Sequence, residues 1–195
     1  MNTQLGQSGQ LVPGLSYFPD YIDRSIEAYL IALVDRHDWN SDLRRRVQHY
    51  GFRYDYKARQ VSNESYLGEM PTWLSVLCDQ LCDEGHSAAP PDQVIINEYQ
   101  PGQGIASHVD RIQCFGDPVI ALSLGSSCVM DFTNVEKREK VPVFLEARCL
   151  VVMSGESRYN WEHGIRPRKS DCIDGRKINR SRRLSITFRN VILGE

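Results

Sequence analysis

From residue 93 onward the chain is written as short apolar segments cut by turn residues, and this limits its fold more than any other feature. Residues 94–99, 105–109, 119–124, 128–132, 141–145, 149–153 and 184–191 each read as a strand. Runs of this length, bounded by Gly, Pro, Asn and Asp, suit strands with at least one buried face. The first ninety residues carry a different signal. Residues 15–18 read as a strand, and Pro19-Asp20 opens a helix with Asp20 or Asp23 as its cap. Ile22, Ile26, Tyr29, Leu30, Leu33 and Val34 fall on one helical stripe, expected to face the core. Residues 47–56 alternate as a strand, with Gly51 as a bulge or turn, and 57–68 read as a loop. A second helix takes Pro71 as its first residue, stops at Gly85 and turns Leu74, Leu77, Cys78 and Leu81 to one face. Helices followed by many short strands predict an α+β chain whose second half is a β-sandwich or jelly roll. A jelly roll leaves a mouth between its sheets, a place for a small cofactor and a metal.

At 195 residues the chain is expected to form one domain over 13–195 behind a loose tail, 1–12. Its 41% hydrophobic content rules out a disordered chain, yet no apolar run approaches the roughly 18 residues of a membrane span. The polar, uncharged N-terminus is not a secretory signal, so a cytoplasmic protein with reduced thiols is expected. The six cysteines, Cys78, Cys82, Cys114, Cys128, Cys149 and Cys172, include no Cys-x-x-Cys pair. Buried free thiols therefore suit them better than a zinc site. The net charge of -2 does not by itself select nucleic acid, although the last third of the chain is basic.

Chemistry concentrates in N-E-Y-Q-P-G-Q-G-I-A-S-H-V-D, residues 97–110. If the chain is extended there, His108 and Asp110 share a face. An imidazole and a carboxylate side by side are two thirds of the 2-His-1-carboxylate triad that holds non-haem iron(II). His37, His49 and His86 suit surface or structural roles. His163, just beyond the strand at 149–153, is placed to return to the mouth as a third ligand. In R-L-S-I-T-F-R, residues 183–189, Arg183, Ser185, Thr187 and Arg189 share one face and Leu184, Ile186 and Phe188 take the other. Guanidinium groups on an inner face need an anion. The two arginine Cα atoms lie about 20 Å apart along a strand, so their side chains could bracket a five-carbon diacid. A structural carboxylate for one and solvent for the other is the alternative.

Taken together, these motifs resemble the AlkB branch of Fe(II)/2-oxoglutarate-dependent dioxygenases, over about 13–191. N-x-Y at Asn97 and Tyr99, P-G at 101–102, H-x-D at 108–110, the G-E-S-R…H-G-I block at 155–165 and R-x5-R at 183–189 occur in family order. The resemblance implies a double-stranded β-helix (a jelly-roll core over about 93–192) with N-terminal helices and a substrate lid over about 44–70. It implies iron(II) on His108, Asp110 and His163. It also implies 2-oxoglutarate held by Asn97, Tyr99, Arg183, Ser185, Thr187 and Arg189, with O2 as the second cosubstrate.

The segment Phe52, Arg53, Tyr54 and Tyr56 resembles the lid that touches the substrate nucleotide, and suits an unstacked base and its phosphates. A plain aromatic hairpin is the competing reading. Arg44–Arg46 and the cations between Arg166 and Arg182 could track phosphates. Ile112 and Ser185 depart from the bacterial repair prototype, and F-G-D at 115–117 and V-M-D-F at 129–132 look more like the AlkB domain of tRNA wobble-uridine hydroxylases. A free-standing chain of this size favours oxidative dealkylation of alkylated bases in DNA or RNA, with wobble-uridine hydroxylation as the alternative. A protein demethylase or hydroxylase and a non-catalytic nucleic-acid binder follow behind. The expected partner is nucleic acid, with no membrane, and the expected working form is a monomer.

Overall fold

The computed structural model describes residues 12–41, 44–55, 58 and 60–193. Twelve strands and two substantial helices follow in the order β1 (Leu15–Phe18), α1 (Arg24–Val34), β2 (Val47–Tyr50), α2 (Thr72–Asp83), β3 (Gln93–Tyr99), β4 (Ile105–His108), β5 (Val119–Gly125), β6 (Cys128–Asn134), β7 (Lys140–Leu145), β8 (Leu150–Met153), β9 (Trp161–Ile165), β10 (Ser170–Ile173), β11 (Arg176–Asn179) and β12 (Arg183–Arg189). One helical turn, α3 (Glu156–Tyr159), sits between β8 and β9. Six strands form the large sheet in the order β1-β8-β5-β12-β3-β2, four form the small sheet in the order β4-β9-β6-β7, and β10 and β11 make a separate hairpin. Two antiparallel sheets wound this way are the jelly roll expected from the strand series.

The caps follow local chemistry. Asp23 accepts from the amides of Ser25 and Ile26 at 2.8 Å, which opens α1. Gly85, at φ +76°, ends α2 in a left-handed turn, with its amide on the Cys82 carbonyl and the His86 amide on that of Leu81. Pro71 is the N-cap of α2 rather than its first helical residue.

Burial explains the strand pattern. On the large sheet Val94, Ile96, Leu122, Leu124, Leu150, Val152, Leu184, Ile186 and Phe188 point to an outer layer roofed by Ile22, Leu30 and Val34 and by Leu74, Leu77, Cys78 and Leu81. Alternate residues of the same strands face the small sheet and meet Val12, Phe132, Val141, Val143, Trp161 and Ile165. The stripe expected on α1 is narrower than its sequence suggested. Ile26 is 42% and Tyr29 61% exposed, because the sheet takes only the Leu30 and Val34 side of the helix. Of the expected tail, residues 1–11 lie outside the described residues, while Val12 is fully buried. No helix among the described residues is long and apolar enough to cross a membrane. Four of the six cysteines are buried, and all six are free thiols.

Candidate active site

The small sheet brings the first two imidazoles together. β4 pairs antiparallel with β9, and His108 stands opposite His163 in that register. Their ring centroids are 4.5 Å apart. Glycine allows this close approach. A Cβ on Gly104 would lie 2.1 Å from the Ile165 carbonyl oxygen, and one on Gly164 would lie 2.9 Å from the Ser107 backbone. Asp110 follows two residues after β4, just past the strand end, and turns inward to 7% exposure. Its Oδ2 lies 3.8 Å from His163 Nε2. One ligand atom from each of the three residues falls within 4.8 Å of the other two, the one such cluster among the described residues.

The donor set fits a divalent transition metal. His108 Nδ1 is 2.8 Å from the Ala106 carbonyl oxygen. A proton held there leaves the Nε2 lone pair for a metal. Asp110 Oδ1 accepts from Arg189 Nη2 at 2.7 Å, while Oδ2 is buried with no hydrogen-bond partner. Burial, the largest influence on Asp110, works to raise its pKa, but Arg189, His163, His108 and Arg158 together outweigh it and hold the carboxyl below its ordinary range. Burial, reinforced by His108, pushes the His163 imidazole down against the pull of Asp110. A neutral imidazole and an ionised carboxylate are the protonation states that ligate.

β12 runs through the middle of the large sheet, and all seven of its residues are buried. Arg183 stands opposite Tyr99 on one side and Gly125 on the other, and Ser185 pairs with Asn97 and Ser123. Arg183 is 2% exposed. Its Nη2 donates to Ser123 Oγ at 2.8 Å and its guanidinium lies 5.5 Å from the Tyr99 ring centre, but Nε and Nη1 have no partner. A buried cation with two idle donors fits a carboxylate supplied from outside the chain. Arg189 is placed differently from the expected second arm of a clamp. It bonds Asp110, packs over Phe115 at 4.6 Å and leaves Nε idle. The pair therefore divides, Arg189 serving the metal cluster and Arg183 lining a small pocket with Tyr99, Gln103 and Ser126.

A cavity of about 480 Å³ opens over the cluster, with Arg45, Tyr54, Asn97, His108, Asp110, Arg111 and Arg189 in its wall. Tyr54 is the one residue of the expected lid contacts that lines it. Phe52 turns away to pack on Tyr66 at 5.1 Å, Arg53 is absent from the lining, and Tyr56 lies outside the described residues. Tyr54 itself leans on Phe115 at 5.6 Å. Half of the expected phosphate-tracking cations are committed to carboxylates. Arg166 pairs with Asp131, Arg168 and Arg180 with Asp171, and Arg46 and Arg182 with Glu98.

Two residues, Arg158 and Ser123, did not figure among the expected contacts, and Arg45, expected on phosphates, has a different partner. Buried Arg158 donates to the carbonyls of Asp110, Phe115 and Gly116 at 2.9, 2.6 and 3.0 Å, and so fixes the loop that carries the carboxylate. Its place in the G-E-S-R block was the available signal. Arg45 instead donates to Asn97 Oδ1 at 2.8 Å, and Ser123, which nothing local in the sequence distinguishes, holds Arg183.

Comparison with known proteins agrees with this architecture. A family model described as the 2OG-Fe(II) oxygenase superfamily matches residues 33–189. Over 92% of its length the chain is 34% identical to the Arabidopsis thaliana protein named alkylated DNA repair protein ALKBH8 homolog, of which it covers 59%. Over 84% of its length it is 40% identical to the Mus musculus tRNA (carboxymethyluridine(34)-5-O)-methyltransferase ALKBH8, of which it covers 26%. The chain thus spans less than two thirds of these relatives. The solved structure of OsALKBH1 overlays with a TM-score of 0.70, covering 91% of this chain and 97% of that one at 16% identity, a likeness of fold. An imidazole–carboxylate–imidazole cluster in the mouth of a jelly roll, with that family model across most of its length, makes this chain a member of the AlkB family, a dioxygenase that uses iron(II), 2-oxoglutarate and O2.

Proposed function

We propose that this dioxygenase oxidises an alkyl substituent on a nucleic-acid base, presented single-stranded or flipped out, and so dealkylates it. In this reading His108, Asp110 and His163 hold the iron. Arg183 grips the distal carboxylate of 2-oxoglutarate, while Asn97, Tyr99, Ser185, Thr187 and Arg189 line its seat. The observation that carries the reading is the wall of the cavity over the cluster, where Tyr54 offers a flat face and Arg45 and Arg111 offer cations. An aromatic ring and guanidinium groups around one concave site suit a single unstacked nucleotide.

Iron and its cosubstrates supply the oxidising power: one oxygen atom of O2 ends in succinate, formed with CO2 from 2-oxoglutarate, and the other enters a substrate C–H bond as hydroxyl. The chain's own residues orient and exclude. Arg189 keeps Asp110 ionised and aimed, Arg158 holds the loop beneath it, and Phe115 with Tyr54 closes the apolar side of the cavity. When the oxidised carbon is bound to a ring nitrogen, the product is a hemiaminal. Its C–N bond breaks with the electron pair going to nitrogen, the hydroxyl proton is lost, and an aldehyde leaves.

A second reading is hydroxylation of a modified wobble uridine in tRNA. It is favoured by the relatives matched at 34–40% identity, which are named as an ALKBH8 homolog and a tRNA (carboxymethyluridine(34)-5-O)-methyltransferase. In that case the oxidised carbon is attached to ring carbon and the hydroxyl stays. Mass spectrometry separates the two. The enzyme is incubated with iron(II), 2-oxoglutarate, O2 and alkylated single-stranded DNA, alkylated RNA or tRNA. Loss of the alkyl mass supports dealkylation, gain of one oxygen on tRNA supports hydroxylation, and no product in any pool rejects a nucleic-acid substrate.

A further inference from the structure

The turn Pro101–Gly104, part of the sequence motif that leads into the ligands, lines no part of the cavity over the metal cluster, and only Gln103 reaches the small pocket of Arg183. It forms instead the floor of a second and larger cavity, about 860 Å³, on the far side of β4. The two cavities share Arg45, Ile105 and Ala106 as a common wall. Four cationic side chains line the larger one, Arg44, Arg45, Lys140 and Arg166, against a single carboxylate, Asp131, which Arg166 already engages at 2.6 Å. The groove therefore carries a surplus of positive charge and opens beside the site where chemistry takes place.

The turn is built to hold that surface. Gln103 Nε2 donates to the Arg44 carbonyl at 2.9 Å, and Gln103 Oε1 accepts from the Gln100 amide at 2.8 Å. One side chain thus ties the turn to itself and to the segment bearing Arg44 and Arg45. Gly104 is needed for the same construction, since any Cβ there would strike β9. Arg45 then reaches through the wall to Asn97 while its neighbour Arg44 stays in the groove.

We infer that this groove is the track for the strand that flanks the target base, with Arg44 and Lys140 contacting its phosphates and Gln103 positioning Arg44. The inference rests on the nucleic-acid reading above and extends it, because a base in the metal cavity must have its neighbouring nucleotides leave across the shared wall. Of possible anionic occupants, a single strand matches a groove that is rich in cations, open to solvent and adjacent to the catalytic cavity across a shared wall.

The test uses fluorescein-labelled 15-nucleotide oligouridine and oligothymidine, titrated by anisotropy across a range of salt. The double variant Arg44→Glu/Lys140→Glu is expected to bind at least tenfold more weakly. The slope of log affinity against log salt should fall by about 1.4, the amount for two lost phosphate contacts to a single strand. Gln103→Ala should weaken binding with no change in formal charge. Arg24→Glu/Arg36→Glu, in the helical layer, makes the same change in net charge and should leave binding where it was. If the wild type turns over a nucleic acid but the double variant keeps its affinity and salt slope, the track is wrong and the substrate reading survives. If the wild type neither binds these strands nor modifies any nucleic-acid pool, the substrate reading itself falls.

Discussion

Replacing Arg183 by methionine separates a residue kept for a ligand from one kept for the fold. Arg183 is almost fully buried, satisfies one nitrogen on Ser123 and has no partner for Nε or Nη1. Without 2-oxoglutarate its desolvation is poorly compensated, and buried charges of this kind are often replaced by apolar side chains at no loss, or at a gain of about 1–4 kcal/mol. Arg183→Met in the metal-free protein should therefore unfold at the same denaturant concentration as wild type or a higher one. The cosubstrate reverses the ranking. Truncating one side of a buried, hydrogen-bonded charge pair costs about 2–5 kcal/mol of binding, which is a rise in the 2-oxoglutarate Kd of roughly thirtyfold to several thousandfold. At a concentration a hundred times the wild-type Kd, 2-oxoglutarate stabilises the wild type by about 2.7 kcal/mol. In the variant that increment should shrink to about 0.9 kcal/mol or less. Calorimetric titration in the presence of a divalent metal gives the affinity, and urea melts with and without 2-oxoglutarate give both stabilities. A variant that is clearly destabilised when ligand-free, yet keeps its full cosubstrate increment, would show that Arg183 serves the sheet and that the anion seat lies elsewhere.

Two further outcomes follow from the same geometry. His108→Ala and Asp110→Ala should each abolish iron-dependent decarboxylation of 2-oxoglutarate while unfolding stays cooperative. Asp110→Ala strands Arg189 as a buried cation and should cost about 3–5 kcal/mol, whereas His108→Ala should stay within about 1 kcal/mol; retained turnover, or the reverse order of stability in urea melts, would contradict the assignment. The third concerns acid. Burial, with Arg53, Arg189 and Arg45 adding to it, lowers the His49 pKa to about 4, against about 6.5 in an unfolded chain. The unfolded state thus takes up a proton first, so stability is complete above about pH 6.5 and falls between there and pH 4, by about 2 kcal/mol once its partial exposure is allowed for. His49→Gln should flatten that part of the apo-protein profile, and an unchanged acid slope would remove His49 as its source.

The sequence made the fold legible where period and burial coincide. β12 alternates polar and apolar because its two faces meet different layers, so Arg183, Ser185, Thr187 and Arg189 could be assigned to one side before any coordinates. His108 and His163 could be named as a pair, but not the register that sets them opposite each other, since this depends on Gly104 and Gly164 letting two backbones close up. Strands β9, β10 and β11 went unrecognised among the charged and turn-forming residues after 155. Their strand conformation comes from pairing rather than from apolar alternation: β9 is held between β4 and β6, and β10 against β11. The lid failed in the opposite way. Phe52, Arg53 and Tyr54 look equivalent as composition, yet only Tyr54 reaches the cavity, because the bridge from Phe52 to Tyr66 commits the other aromatic ring to packing. Partner choice among many arginines was equally hidden, since Glu98 and Asp131 each neutralise cations distant in sequence.

Charge in the interior gives a reason for the arginine strand to carry two guanidinium groups with different duties. Asp110 and Arg189 cancel each other, so the protein's own contribution to the metal cluster is close to neutral, while Arg183 remains an uncompensated positive charge. Adding a divalent cation alone increases the positive charge in a space of low dielectric. Adding a dianionic keto acid with it offsets that increase and supplies the carboxylate that Arg183 lacks. Each should therefore bind more strongly in the presence of the other, and by linkage the factor must be the same in both directions. Had Arg189 been a second free anion clamp, the empty site would hold two unmatched cations and a bare carboxylate ligand. Tying Arg189 to Asp110 avoids both and fixes the ligand before metal arrives, while Arg183 keeps two donors free for an anion.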